Sequence, residues 1–267
     1  MIAARVNGQP AMQVELADRG LAYGDGLFET MQVRQGAIAL FDYHMQRLQL
    51  GCQRLQIPLD MQQLQHEIAS FAAELQDGVC KLIVTRGDGQ RGYGLPQPTQ
   101  TRRILQAAPL PQWPVEHARD GIRLFPCQTR LAVQPLLAGL KHLNRLEQVL
   151  ARAEWQDTAY AEGLMLDTAG RMIEGVFSNL FFVRNTVLLT PALTGSGVAG
   201  VMRARLLDLA AELGLVVQVT ELYPSDLKQM SEVFTCNSLY GIWPVRHYAG
   251  HDWAPGPLTR RLQSIIQ

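Results

Sequence analysis

Three prolines within six residues, Pro109, Pro111 and Pro114, interrupt the chain. Each locks its own φ and lacks an N–H, so neither a helix nor an inner strand can run through them. Regular structure must stop before this stretch and begin afresh after it. The cluster predicts a small N-terminal α/β domain over 1–108, a linker over 109–120 and a larger C-terminal domain over 121–267. At 267 residues the chain is long enough for two such domains, each with its own core.

Ahead of the prolines, residue spacing predicts strands over 28–33, 38–41, 79–85 and 103–107. It predicts two helices as well: one over 42–55, with Met45, Leu48, Cys52 and Leu55 on one face, and one aligning Leu64, Ile68, Phe71 and Leu75. Beyond the prolines it predicts strands over 122–126, 163–166, 180–183, 187–189, 216–219 and 232–235, with helices over 146–155 and 201–213. Strands and helices do not alternate strictly, so the expected class is α+β with a strand-rich, barrel-like C-terminal domain, not a doubly wound sheet.

Composition narrows the ligands. Hydrophobic residues make up 47% and charged residues 18%, which excludes disorder for the bulk of the chain. Lys plus Arg and Asp plus Glu both number 24, so there is no net field to draw in nucleic acid or an anionic membrane. A charged ligand must be held by local residues. Cys52, Cys80, Cys127 and Cys236 stand singly, without metal-ligand spacing, so no metal site and a reducing compartment are expected. With no apolar leader segment after MIAARVNGQP and no long apolar run, a cytoplasmic protein is expected.

Three segments can carry chemistry. TPALTGSGVAGVMRAR, residues 190–205, runs from a strand through a Gly/Ser loop into a helix, and unpaired N–H groups at a helix start suit a phosphate. A glycine turn that merely feeds a helix fits the same pattern. The absence of GK[ST] excludes a Walker loop, and no acidic partner completes a dinucleotide fingerprint. Lys141 lies in GLKHLNRLEQ among Leu137, Leu140 and Leu143. A desolvated lysine there could act as a nucleophilic amine, or simply snorkel from a strand end. Glu174, in RMIEGVFSNLFFV, is flanked by Ile173 and Val176 and is either buried with a cationic partner or a charge on a solvent-facing turn.

Taken together these residues resemble the class IV pyridoxal-phosphate family, whose members include branched-chain and D-amino acid transaminases and aminodeoxychorismate lyases. The resemblance spans nearly the whole chain in five ordered segments: YGDGLFET at 23–30, HMQRL at 44–48, TRGDGQRGY at 85–93, KHLNRLEQ at 141–148, and then the acidic and glycine motifs. Val176 departs from the pattern, where a smaller residue is usual. KHLNRLEQVLAR, RGDGQRGY and CNSL are most similar to the lyase branch. Branched-chain enzymes usually carry a tyrosine five residues after the lysine, where this chain has Leu146.

The resemblance implies the fold of type IV pyridoxal-phosphate (PLP) enzymes, a homodimer and elimination of pyruvate from 4-amino-4-deoxychorismate to give 4-aminobenzoate for folate. A D-amino acid or branched-chain aminotransferase is the alternative, and a non-catalytic module with the same fold is third. On the resemblance, Lys141 is the Schiff-base lysine and proton shuttle, and Glu174 pairs with the pyridine nitrogen. Arg47, the backbone of Val201 and Met202, and Ser238 hold the phosphate. Thr30 is the hydroxyl that protonates the departing enolpyruvate, with an ordinary strand threonine as the plain alternative. Asn237 and Phe28 contact substrate, and Arg91, in a loop too polar for a core, binds a substrate carboxylate in a neighbouring subunit.

Overall fold

GLFETMQVR alternates buried and part-buried positions along its length, the pattern of a strand with one face on a core. In the computed structural model, which describes residues 4–266, this strand belongs to the first of two units, Met1–Pro111 with Leu140–Asn144. The elements in order are Ala4–Val6 (β1), Gln9–Pro10 (β2), Arg19–Tyr23 (α1), Gly26–Arg34 (β3), Ala37–Ile38 (β4), Phe41–Leu55 (α2), Met61–Leu75 (α3), Gly78–Thr85 (β5) and Arg102–Ala108 (β6). The six strands form one antiparallel sheet in the order β2-β1-β6-β5-β3-β4. Helix α2 packs on β3, burying Met45, Leu48 and Cys52 on one side and Leu27, Met31 and Val33 on the other. The Asp60 carboxylate caps α3 by accepting the Gln63 N–H at 2.9 Å.

The second unit, Gln112–Gly139 with Arg145–Gln267, contains Val115–Arg119 (α4), Ile122–Leu131 (β7), Leu146–Ala153 (α5), Glu162–Asp167 (β8), Met172–Gly175 (β9), Asn179–Arg184 (β10), Val187–Pro191 (β11), Val201–Glu212 (α6), Val217–Thr220 (β12), Glu232–Asn237 (β13), Gly241–Tyr248 (β14), His251–Asp252 (β15) and Pro257–Ile266 (α7). Its mixed sheet runs β12-β11-β10-β13-β14-β7-β8-β9, with β15 on β14. The pairs β11–β12, β14–β7 and β7–β8 are parallel. One core gathers Leu124, Leu164, Phe182, Trp243 and Val245; a second joins Ile173 and Val176 to Met165, Ala151 and Trp155. Val176, the departure from the family pattern, is thus a core side chain.

Several boundaries differ from those the sequence suggests. The strand expected over 38–41 ends at Ile38, because Leu40 takes a positive φ of 55° and caps α2. The helix expected to reach residue 155 stops at Ala153, freeing Trp155 to stack on Phe125 at 5.2 Å. Residues 140–144 group with the N-terminal unit, although the sequence places Lys141 in the C-terminal domain. The physical reason is main-chain pairing with β3: the Phe28 N–H donates to the Lys141 carbonyl at 2.9 Å and the Leu143 N–H to the Gly26 carbonyl at 3.0 Å.

Candidate active site

That pairing places Lys141 beside β3. Leu27 bridges His142, and the Asn144 side-chain amide donates to the Gly24 carbonyl at 3.1 Å. The Lys141 ammonium lies over the Phe28 ring, 4.4 Å from its centroid, a cation–π contact. Strand alternation puts Phe28 and Thr30 on the same part-buried face of β3. Lys141, Phe28 and Thr30 thus belong to one unit.

Glu29 points the other way, toward α2, and is buried. His44 and Arg47, one helical turn apart, both reach it. The Arg47 Nε donates to Glu29 Oε1 at 2.8 Å and its Nη2 donates to Oε2. His44 Nδ1 lies 2.6 Å from Oε2. Burial alone would raise the Glu29 carboxyl, but the Arg47 charge and the hydrogen bonds of His44 and Arg47 outweigh it and hold the group at about 2. Burial pulls His44 downward despite Glu29, so its neutral ring donates through Nδ1 to a carboxylate that can only accept. The guanidinium plane of Arg47 is thereby fixed, as bidentate anion recognition requires.

Arg91 sits exposed on the loop after β5. The loop is anchored by Arg19, whose Nη1 donates to the Gly92 and Gly94 carbonyls at 3.1 and 3.3 Å, and by the Tyr23 hydroxyl, which accepts the Gly92 N–H at 3.1 Å. Arg86, which opens this loop after β5, is buried. It donates to Asp25 at 2.8 Å and to the Leu55 and Gln56 carbonyls at 2.7 and 2.8 Å. It pins the C-terminal end of α2.

In the second unit Glu174 lies buried on β9, so the solvent-facing reading is excluded. Its Oε2 accepts the Val198 N–H at 2.7 Å and its Oε1 the Gln148 amide at 3.4 Å. Its charge acts on the part-buried Arg145 guanidinium, which desolvation pulls down and Glu174 pushes back up. The Asn179 side chain accepts the Gly200 N–H at 3.0 Å and donates to the Val198 carbonyl at 2.9 Å. Gly200 then caps α6 with no side-chain hydrogen bond, and no acidic residue stands in the first turn. Val201 and Met202 open this helix and are buried. In the loop before it, Ser196 Oγ is buried and meets no partner among the described residues.

Asn237 ends β13 and Ser238 follows it in the turn to β14. The Asn237 side-chain oxygen accepts the Leu239 and Tyr240 N–H groups at 2.9 and 3.0 Å, and its side-chain nitrogen donates to the Phe177 carbonyl at 3.3 Å. Asn237 therefore shapes this turn. The structure groups Lys141, Phe28, Thr30, Arg47 and Arg91 in the first unit, and Glu174, Val201, Met202, Asn237 and Ser238 in the second. Sequence reading missed Glu29 and His44, whose signal is an acid in β3 with a His and Arg three apart on the next helix, and Arg145, Gln148 and Asn179, which surround Glu174 and the start of α6.

Residues 26–248 match the Amino-transferase class IV family. The chain belongs to this family. An aminodeoxychorismate lyase from Vibrio harveyi is 38% identical over 98% of both chains. The crystal structure of 4-amino-4-deoxychorismate lyase from Pseudomonas aeruginosa is 55% identical, with a TM-score of 0.97 over 98% of this chain and 97% of that one. A branched-chain amino acid aminotransferase structure from Escherichia coli is more distant, at 26% identity and a TM-score of 0.85 over 98% and 92%. The α+β class and the type IV fold expected of a class IV aminotransferase both hold.

Proposed function

We propose that this chain is a PLP-dependent aminodeoxychorismate lyase, releasing pyruvate from 4-amino-4-deoxychorismate to form 4-aminobenzoate for folate synthesis. The observation that carries the reading is the likeness to the Pseudomonas aeruginosa lyase structure, 55% identical along essentially the whole chain.

The donor set fits the cofactor. The first unit offers a primary amine on a part-buried segment and a guanidinium held in one plane, and the second a helix start without a capping side chain, the buried Ser196 hydroxyl and a buried carboxylate, groups suited to an aldehyde, a phosphate and a pyridine nitrogen. Lys141 would bond the cofactor. Arg47, the Val201 and Met202 N–H groups and Ser238 would hold its phosphate. Glu174, kept in place by Val198 and Gln148, would hold a proton on the ring nitrogen. When bound, PLP supplies an electron sink at the substrate carbon that bears nitrogen.

The Lys141 amine would remove the proton from the ring carbon bearing the substrate amine. Loss of the enolpyruvyl ether oxygen from the adjacent carbon then aromatises the ring. Thr30 would deliver a proton to the methylene carbon of the departing enolpyruvate, completing pyruvate. Arg91 would hold a carboxylate of the substrate, and Phe28 would seat the substrate beside Lys141. A homodimer, with Arg91 serving the partner's site, and a cytoplasmic setting belong to this reading. No helix among the described residues is long and apolar enough to cross a membrane.

Aminotransferases of the family are the alternative; a D-alanine aminotransferase from Bacillus licheniformis is 28% identical over 95% of this chain and 90% of its own length. The test compares the PLP-loaded protein on aminodeoxychorismate, on D-alanine with 2-oxoglutarate, and on leucine with 2-oxoglutarate. The reading expects 4-aminobenzoate as the dominant product. Faster amino transfer to 2-oxoglutarate would overturn it.

A further inference from the structure

Another buried carboxylate takes no part in the proposed chemistry. Glu162, at the start of β8, has no exposed surface and forms no ion pair among the described residues. Four donors surround it: Oε1 accepts the Gly163 and Val176 N–H groups at 2.8 and 2.9 Å, and Oε2 accepts the Ser178 hydroxyl and the Phe177 N–H at 2.7 and 3.3 Å. The turn it grips, 176–178, lies between Glu174 and Asn179. That turn is closed by the Gly175 N–H on the Ser178 carbonyl at 2.7 Å.

Gly175 is required here, because an added Cβ would lie 2.2 Å from Ser178 Oγ and 2.8 Å from the Glu162 carboxyl. The carboxylate thus holds the turn behind Glu174 directly.

We propose that Glu162 is a positioning residue for the cofactor: its four accepted hydrogen bonds hold the turn between Glu174 and Asn179, and with it those two side chains, in the arrangement that binds PLP. This rests on the cofactor reading above. Glu162 touches no reacting atom. A buried carboxylate with only dipoles for partners is costly to keep in the core, and a core serving stability alone could fill the space with an apolar side chain. Protonation would turn one acceptor into a donor facing donors and loosen the turn. Burial raises the carboxyl to about 7 against the pull of its hydrogen bonds. Its titratable neighbours, Tyr240 and Cys127, are pushed by burial far above neutrality, Cys127 to about 12.

The test titrates apo-protein with PLP at pH 6 and pH 8 for the parent, Glu162→Gln and Ser178→Ala, with thermal unfolding of each apo-protein alongside. Glu162→Gln should weaken PLP about ten-fold at pH 8, on the scale of one charge-assisted hydrogen bond. It should also lose the part of the pH 8 to pH 6 weakening that the parent owes to this carboxyl. If Glu162→Gln fails to fold, Ser178→Ala decides, with an expected loss of several-fold in PLP affinity. Parental affinity and parental pH dependence in folded variants would overturn the proposal. A parent that binds PLP without making 4-aminobenzoate would defeat the lyase reading alone, and one that binds no PLP would defeat both.

Discussion

Arg47 meets Glu29 through two parallel contacts, Nε to Oε1 at 2.8 Å and Nη2 to Oε2, with Glu29 only 1% exposed. The phosphate-binding arginine of the proposed site is therefore also the counter-ion of a buried acid. Arg47→Ala should weaken PLP by about 1.5–3 kcal/mol, the range for a charge-assisted bond, and destabilise the protein by roughly 3 kcal/mol because a buried charge loses its partner. Adding Glu29→Gln should recover part of the stability and none of the affinity. PLP titration and denaturant unfolding of single and double variants separate the two roles. Unchanged PLP affinity in Arg47→Ala would leave Arg47 as a counter-ion only.

The same pair sets an acid response. Glu29 is held at about 2, below its ordinary 4.5, so it binds fewer protons when folded than when unfolded. Its contribution to stability is present above about pH 4.5 and is lost as pH falls toward 2. Denaturant unfolding across that window should show a steeper fall for the parent than for Glu29→Gln. Parallel curves would show that Glu29 is not ionised in the fold.

Glu174→Gln should retain PLP and lose most turnover, since the amide can still accept the Val198 N–H but cannot hold a proton on the ring nitrogen. PLP titration and initial rates measured on one preparation check this. Parental turnover in the fully loaded variant would remove Glu174 from the mechanism.

Much of this was legible in the sequence. Apolar spacing located α2, α3, β3 and β5. Strand β14 was hidden because it carries Pro244, a residue that argues against an inner strand. It is tolerated there because Pro244 pairs with Phe234 of β13 on one side and precedes the pairing with β7, which begins at Val245 with Ile122. The place of Lys141 beside β3 depends on main-chain hydrogen bonds to residues more than a hundred positions away, which no local pattern predicts. Glu29 is signalled only by the spacing of His44 and Arg47 on the next helix, and Glu162 carries no local signal: it sits in an ordinary strand, and only tertiary packing supplies the donors around it.

Gly197 takes a φ of 84°, and an added Cβ would lie 2.6 Å from Ile173 Cγ2, 2.9 Å from Leu193 Cδ2 and 3.3 Å from Glu174 Oε2. Gly197→Ala should cost about 1–3 kcal/mol of stability through the strained backbone and crowding. Because the loop also carries the Val198 N–H that orients Glu174, turnover should fall further than the loss of folded protein explains. Calorimetry and the rate per folded, PLP-loaded molecule give the two numbers. Equal rates per loaded molecule would confine Gly197 to stability.

Lys141 is the residue proposed to bond the cofactor, and the chain holds only three lysines, Lys81, Lys141 and Lys228. The direct measurement is borohydride reduction of the PLP-loaded protein followed by peptide mapping. Bleaching of the visible absorption with the phosphopyridoxyl group on the peptide containing Lys141 is the expected result. The label on Lys81 or Lys228, or no covalent label, would contradict it.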